Sequence, residues 1–117
     1  MFNTQVELKI KSQVLFVNEV QLNLDYPVSE AFLIESKIIV LFDPDSNLQR
    51  FGQFANLIAL DAQTHDLIWT SELPTTETGD AYYKITSRKP LVAFSVCSYS
   101  CEIDLETGKI SNKTFYK

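Results

Sequence analysis

Residues 59–69 read Ala-Leu-Asp-Ala-Gln-Thr-His-Asp-Leu-Ile-Trp, and this stretch decides the fold. A weaker copy occupies residues 102–112 and reads Glu-Ile-Asp-Leu-Glu-Thr-Gly-Lys-Ile-Ser-Asn. Both copies carry an aspartate and, three positions later, a threonine. A spacing of about 40 residues between copies is typical of repeat architectures. The sequence therefore predicts two similar structural units in one chain.

Each unit has the apolar pattern of four short β-strands joined by mostly short connections. Short connections favour an antiparallel meander in each unit. The first unit spans about residues 29–73, with strands at 31–34, 38–42, 56–60 and 67–71. The second unit spans about residues 80–117, with strands at 82–86, 91–96, 99–104 and 109–115.

A further β segment, residues 1–27, precedes the two units. Its apolar stretches lie at 6–10, 14–17 and 20–24, and Tyr26-Pro27 ends the last of them, because proline cannot donate to a strand ladder. We expect this segment, or a second copy of the chain, to cover an exposed sheet face of the units. The whole chain, residues 1–117, is long enough for one domain. The expected fold is all-β, with about nine or ten antiparallel strands.

Three details of this fold follow from local patterns. The near-continuous apolar runs Ile38–Phe42 and Leu91–Val96 predict strands that are buried on both faces. The stretch 29–36 is compatible with a helical turn, but its alignment with 82–86 favours a strand. In the long loop 43–55, apolar residues at helical spacing indicate a short helix over 46–55, although Gly52 weakens it by about 1 kcal/mol relative to alanine.

The first copy resembles the signature of PQQ-like repeats in quinoprotein β-propellers, Ala-x-Asp-x-x-Thr-Gly-x-x-x-Trp. The matching residues are Ala59, Asp61, Thr64 and Trp69, with His65 in the glycine position; the second copy keeps Asp104, Thr107 and Gly108. The resemblance implies two propeller-blade-like units, a hairpin turn after each aspartate, and Trp69 packed between neighbouring blades. In that family these repeats are structural, and two blades cannot close a ring. We therefore expect no PQQ, no metal and no dehydrogenase activity, since a fold likeness alone does not carry function.

The charge balance and the absence of targeting signals restrict the class of partner. The net charge is −5 and the pI is about 4.7, which disfavours nucleic acid and anionic membranes. The longest apolar stretch, Ile38–Phe42, is too short to span a bilayer. The N-terminus lacks the pattern of a secretory signal, so we expect a cytoplasmic protein. Because the sequence starts with Met1, we expect a complete chain and not a fragment of a larger propeller.

No set of residues predicts a metal or catalytic site. Asp43, Asp45 and Asn47 have the spacing of the start of an EF-hand loop, but the glycine and glutamate that the loop requires at its positions 6 and 12 are Leu48 and Phe54. A polar turn is the better interpretation.

The remaining candidates also favour structural roles. Cys97 and Cys101 could form a disulfide, hold a metal or remain free thiols, and free thiols fit best. A tetrahedral zinc site lacks ligands, because the chain has no other cysteine and its one histidine is His65. His65 is expected to be a solvated turn residue, since no nucleophile motif accompanies it. The alternating carboxylates Glu102, Asp104 and Glu106 are expected to form a solvated strand face.

The long loop 43–55 is the strongest candidate for binding. Arg50, Phe51 and Phe54 combine a cation with aromatic rings, a composition that is enriched at interfaces. Alternatively, the two phenylalanines simply cover the sheet. We therefore expect a small non-enzymatic interaction or scaffold module that binds a protein partner or forms a homodimer.

The alternative is a small-molecule binder, or an enzyme whose site forms at a subunit interface. An interaction module predicts an exposed apolar or aromatic patch. A binder predicts a concave pocket with convergent polar groups, among them His65 or Tyr99.

Overall fold

The computed structural model describes residues 5–47 and 52–116, which form strands almost throughout. Three antiparallel sheets contain three, four and four strands, with the orders β1-β2-β3, β4-β5-β6-β7 and β11-β10-β9-β8. The first sheet comprises β1 (Leu8–Lys11), β2 (Val14–Val17) and β3 (Val20–Gln21). The second comprises β4 (Val28–Ile34), β5 (Lys37–Phe42), β6 (Leu57–Asp61) and β7 (Leu67–Thr70). The third comprises β8 (Tyr82–Arg88), β9 (Leu91–Ser95), β10 (Tyr99–Ile103) and β11 (Ile110–Phe115).

This architecture confirms the all-β fold and the two four-stranded meanders. The stretch 29–36 contributes to strand β4, as the repeat alignment predicts. The expected strand at 20–24 is shorter, because β3 ends at Gln21. After one more ladder bond, from the Leu22 amide to the Leu15 carbonyl, the chain leaves the sheet, and Leu22 and Leu24 pack on the core below it.

The second sheet lies in the middle of the stack, between the first and the third. One face packs on the first sheet through a cluster that includes Leu15, Val17 and Val40. The other face packs on the third sheet through a cluster that includes Leu41 and Leu91. The N-terminal segment therefore covers one face of the first unit, as expected. Every residue of β5 is buried, which confirms the two-sided burial predicted for 38–42.

The third sheet is covered on one face only. In β9, Leu91, Ala93 and Ser95 are buried, whereas the alternate residues Val92 and Phe94 are half-buried. Val96, directly after the strand, is 51% exposed. The prediction that 91–96 is buried on both faces is therefore wrong, because no described element lies over the outer face of this sheet.

The long loop also differs from the sequence-based expectation. One 3-10 turn, Pro44–Asn47, lies near the start of the predicted helix 46–55. Asp43 holds this turn by accepting a hydrogen bond from the Asp45 amide at its Oδ1 atom, 2.9 Å away. Residues 52–55 are not helical, and Gly52 has a φ of 120°, which a helix does not permit. Within the described residues, no helix has the length and apolar character needed to cross a membrane.

Candidate interaction surfaces

The two hairpins that carry the repeated sequence share a pattern of hydrogen bonds from turn amides to aspartate and threonine. In the first, Asp61 Oδ1 accepts from the amides of Gln63 and Thr64, and the Thr64 hydroxyl accepts from the Asp66 amide. In the second, Asp104 Oδ1 accepts from the Glu106 amide, and the Thr107 hydroxyl accepts from the Lys109 amide. Aspartate and threonine recur because each satisfies turn amides that the strand ladder leaves without partners.

The position after each threonine adopts a left-handed backbone. His65 has a φ of 68° and Gly108 a φ of 76°. Both amides donate to the carbonyl of the aspartate four residues earlier, at 2.8 Å. In the first hairpin, the amides of Thr64 and Gln63 lower the pKa of the Asp61 carboxyl below its ordinary value. His65 thus lies in the hairpin turn, as predicted, and it adopts a positive φ that costs a non-glycine residue some strain.

Trp69 links the first unit to the second hairpin. Its side chain is 6% exposed, and its Nε1 atom donates to the Leu105 carbonyl at 2.8 Å. A Cβ atom on Gly108 would lie only 2.6 Å from Trp69 Cε3. The burial of Trp69 in the core is therefore confirmed, and Gly108 leaves room for the indole ring.

A buried polar network joins the connection between the units to both sheets. The Asn56 side chain donates to the carbonyls of Phe42 and Tyr82 and accepts from the Tyr82 amide. Asp80, fully buried, accepts from the Ala81 amide and from the Thr75 hydroxyl. Burial raises the pKa of Tyr82, whose hydroxyl donates to the Glu72 carbonyl at 2.7 Å. These hydrogen bonds give the buried polar groups of Asn56, Asp80 and Tyr82 a structural role, so their burial needs no ligand or catalytic function to explain it.

Cys97 and Cys101 are free thiols, as expected from the sequence. Cys97 lies in the turn between β9 and β10, and Cys101 lies opposite Ala93 and Lys113, so the two cysteines are not cross-strand neighbours. Burial, followed by the nearby Asp80 carboxyl, raises the pKa of Cys97 to about 11. Burial also raises the pKa of Cys101. Both thiols are therefore poor nucleophiles at neutral pH.

The outer face of the third sheet carries a cluster of aromatic side chains. The ring of Phe94 lies 5.4 Å from that of Tyr83 and 6.1 Å from that of Tyr116. Lys84 Nζ lies 5.7 Å from the centroid of Tyr83 and 5.9 Å from that of Phe94. Tyr83 and Tyr116 are 41% and 55% exposed. We call these residues, together with Val96, the aromatic end face.

A groove of about 470 Å³ crosses the aromatic end face. Lys84 is the one charged residue among the described residues that line it, and the other lining residues are Thr86, Phe94, Ser98, Ser100 and Tyr116. A surface of this kind, rich in tyrosine and phenylalanine and poor in charge, resembles the core of a protein interface.

The opposite end of the stack has a different character. On the outer face of the first sheet, Lys9, Phe16 and Gln21 form one cross-strand row, and Lys11 pairs with Val14 in the next. Lys9, Lys11 and Gln21 are exposed. A polar outer face is ordinary for an antiparallel sheet with one solvated side. The two ends therefore differ in kind: among the residues that the structure describes, an aromatic cluster faces outward on the third sheet and not on the first.

The binding residues predicted in the long loop are only partly described. Arg50 and Phe51 lie outside the described residues, so their predicted role stays a prediction. Phe54 is 5% exposed, and its ring lies 4.6 Å from that of Tyr26. It covers the core between the first two sheets, as the alternative interpretation of this loop expects.

The remaining sequence candidates occupy separate places. Asp45 belongs to the 3-10 turn and Asp43 directly precedes it. Within the described residues, no group of three or more acidic, cysteine or histidine side chains could hold a metal ion. His65 lines a groove between β7 and the segment after β3. Tyr99 lines a different groove of about 540 Å³, together with Cys97 and Phe115. The two residues named for a convergent pocket are therefore not brought together.

A family model described as a domain of unknown function, DUF7957, matches residues 5–115. The chain belongs to the DUF7957 family. No curated protein and no solved structure matches the chain. The DUF7957 domain therefore includes all three sheets, since the matched range begins before β1 and ends with the last residue of β11.

The apolar run 91–96 is the sequence feature that corresponds to the end face of this DUF7957 domain, although its pattern predicts a strand buried on both faces. Val92 and Phe94 alternate with buried residues in β9, Val96 follows the strand, and such an apolar run usually lies between two covering layers. Tyr83 and Tyr116 gave no separate signal, because single exposed aromatics are common. This surface is distinguished by a row of apolar side chains that faces outward and on which no described element packs.

Proposed function

We propose that this DUF7957 domain is a non-enzymatic interaction module that self-associates through its aromatic end face. One observation carries the proposal. The outward row of β9 has the apolar composition of a covered strand, yet the described chain provides no cover for it. Exposed apolar patches rimmed by polar residues mark protein interaction sites.

The way in which the chain packs its own sheets supports a second copy as the partner. The second and third sheets already stack face to face through a shared apolar cluster. Two end faces related by a two-fold axis would repeat that mode of packing between chains. Such pairing is closed, because a two-fold contact occupies the aromatic end face of both copies and the described residues offer no second face of this kind. The expected assembly is a homodimer with two polar outer faces.

The proposal includes two further expectations from the sequence. We propose that the two four-stranded units are PQQ-like repeats that have kept their structural role alone, which the matching hairpins at Asp61 and Asp104 support. We also propose a cytoplasmic location, which the lack of a secretory signal in the sequence supports. Neither expectation assigns a cofactor.

The test is the molar mass in solution, measured by light scattering after size exclusion at tens of micromolar. We expect the wild type to have the mass of a dimer. Val96→Glu places a charge in the contact and is expected to give a monomer; since Val96 is 51% exposed, the fold is retained. The matched control is Leu33→Glu, at an exposed leucine on β4, which should remain dimeric. A monomeric wild type, or a dimer that Val96→Glu leaves intact, overturns the proposal.

A further inference from the structure

A groove lies between the β6–β7 hairpin and residues 23–26, which follow β3. Its volume is about 320 Å³. Ile58, Leu60 and Leu67 contribute apolar side chains from the hairpin, and Tyr26 and Phe42 contribute aromatic ones. His65 lies at the hairpin turn and also lines it. This groove is on a different sheet from the aromatic end face and involves none of its residues.

The groove exists because the first sheet is one strand narrower than the sheet below it. A three-stranded sheet packs on a four-stranded one, and β1 lies next to β4. One cross-strand row of the middle sheet runs Leu33, Ile38, Leu60, Leu67. Its two central residues are buried, whereas Leu67 on β7 is 59% exposed. On the other face of β7, Trp69 is covered by the second unit, so β7 is packed on one side only.

β7 also presents main-chain hydrogen-bonding groups. It is the edge strand of its sheet, and its residues pair with β6 alone. In an antiparallel ladder, alternate residues of an edge strand direct their N–H and C=O groups away from the neighbouring strand. An added strand could use these groups, and its alternate side chains would then enter the groove. Binding by strand addition of this kind is a common mode of peptide recognition.

The charge of the groove restricts the occupant. Asp25 is the one carboxylate among the described residues that line it, and they include no lysine or arginine. The polar remainder, Asn23 and Thr70, can donate or accept hydrogen bonds. The site therefore complements a segment with apolar side chains at alternate positions and a basic side chain near Asp25.

We propose that this groove binds a short extended peptide segment of a partner protein, which pairs with β7 and places a basic residue beside Asp25. β7 has four residues, so the matching segment extends for about 13 Å. This site is separate from the proposed self-association and does not depend on it.

The test is selection of binders from a library of random octapeptides displayed on phage, with the Val96→Glu chain as bait, so that self-association does not interfere. We expect enriched peptides with alternating apolar residues and at least one lysine or arginine. A selected peptide, made synthetically, should shift the backbone amide resonances of residues 23–26 and 65–70. Enrichment of no peptide, or shifts confined to other residues, overturns the proposal.

Two substitutions in this bait measure the contributions of the groove. Leu67→Glu should weaken binding of the synthetic peptide about tenfold or more, because it removes an apolar contact and places a carboxylate where the peptide would strip it of water. Asp25→Asn should weaken binding of the peptide about threefold and make that binding less sensitive to salt. Leu33→Glu is the matched control, because Leu33 lies at the other end of the same cross-strand row. Equal binding by the Leu67→Glu and Leu33→Glu chains would exclude the groove.

Discussion

At the scale of single residues, the buried polar side chains of this domain serve the fold. Asn56 satisfies main-chain groups of β5 and β8 at once, and Asp80 ties the connection between the units to the turn after β9. Removing one partner from such a network leaves another group buried and unsatisfied, which costs about 1–3 kcal/mol. Neither Asn56 nor Asp80 lines any of the grooves described above.

Cys97 allows a direct measurement of this environment. With a pKa of about 11, its thiolate fraction at pH 8 is on the order of one in a thousand. We expect iodoacetamide to modify Cys97 in the folded chain about a hundredfold more slowly than in the urea-unfolded chain at pH 8. The rate should keep rising with pH to about 11. Peptide mass spectrometry over time provides the measurement.

Cys101 serves as the internal comparison for Cys97. It is fully buried, so its modification in the folded chain requires unfolding and should be the slower of the two. A folded-state rate for Cys97 equal to that in urea, or a plateau in its rate near pH 8, would contradict the assigned environment.

At the scale of elements, the two hairpins form a natural matched pair. His65 and Gly108 occupy equivalent left-handed positions, but only Gly108 lies under Trp69. We expect His65→Gly to increase the free energy of unfolding by about 0.5–1 kcal/mol, since glycine adopts positive φ without strain. We expect Gly108→Ala to decrease it by about 2 kcal/mol or more, because strain adds to a clash with the indole ring.

Urea unfolding followed by circular dichroism tests both variants at once. Trp69 fluorescence gives a second, local signal, because it is the one tryptophan in the chain. The Gly108→Ala chain should show altered fluorescence before unfolding, whereas the His65→Gly chain should not. The two substitutions are opposite in kind, since one introduces a glycine and the other removes one. If both changed the free energy of unfolding in the same direction, the two hairpin positions would not be equivalent.

The strands could be predicted because each has its own period of apolar residues, and the hairpin turns because aspartate and threonine act on neighbouring amides. The short helix at 46–55 was not predictable in this way. The Asp43 carboxylate accepts from the Asp45 amide and so starts a 3-10 turn before residue 46, and Gly52 takes a positive φ. The exposed face of β9 was missed for a different reason. Whether an apolar row is covered depends on which element reaches it in space, and no local pattern contains that information.

At the scale of the whole molecule, the order of the sheets sets the distribution of stability. The middle sheet has a neighbour on each face, whereas the outer sheets have one each. Local opening costs least where few apolar contacts must be broken. β5 is buried along its whole length, β3 has two exposed residues, and β11 is half-buried at Ile110 and exposed from Ser111 to Phe115. The molecule is therefore expected to open from its ends towards its centre.

Hydrogen exchange of backbone amides tests this order. We expect the amides of β5 and β6 to exchange last, at the rate of global unfolding, because both strands are hydrogen-bonded on each side and buried. Amides of β3 and β11 should exchange first, and those of β9 at intermediate rates. The exchange should be measured on the Val96→Glu chain, because a second copy bound to the third sheet would protect its amides. Exchange from β11 as slow as from β5 would mean that the three sheets unfold as one cooperative unit and that the stack has no weak end.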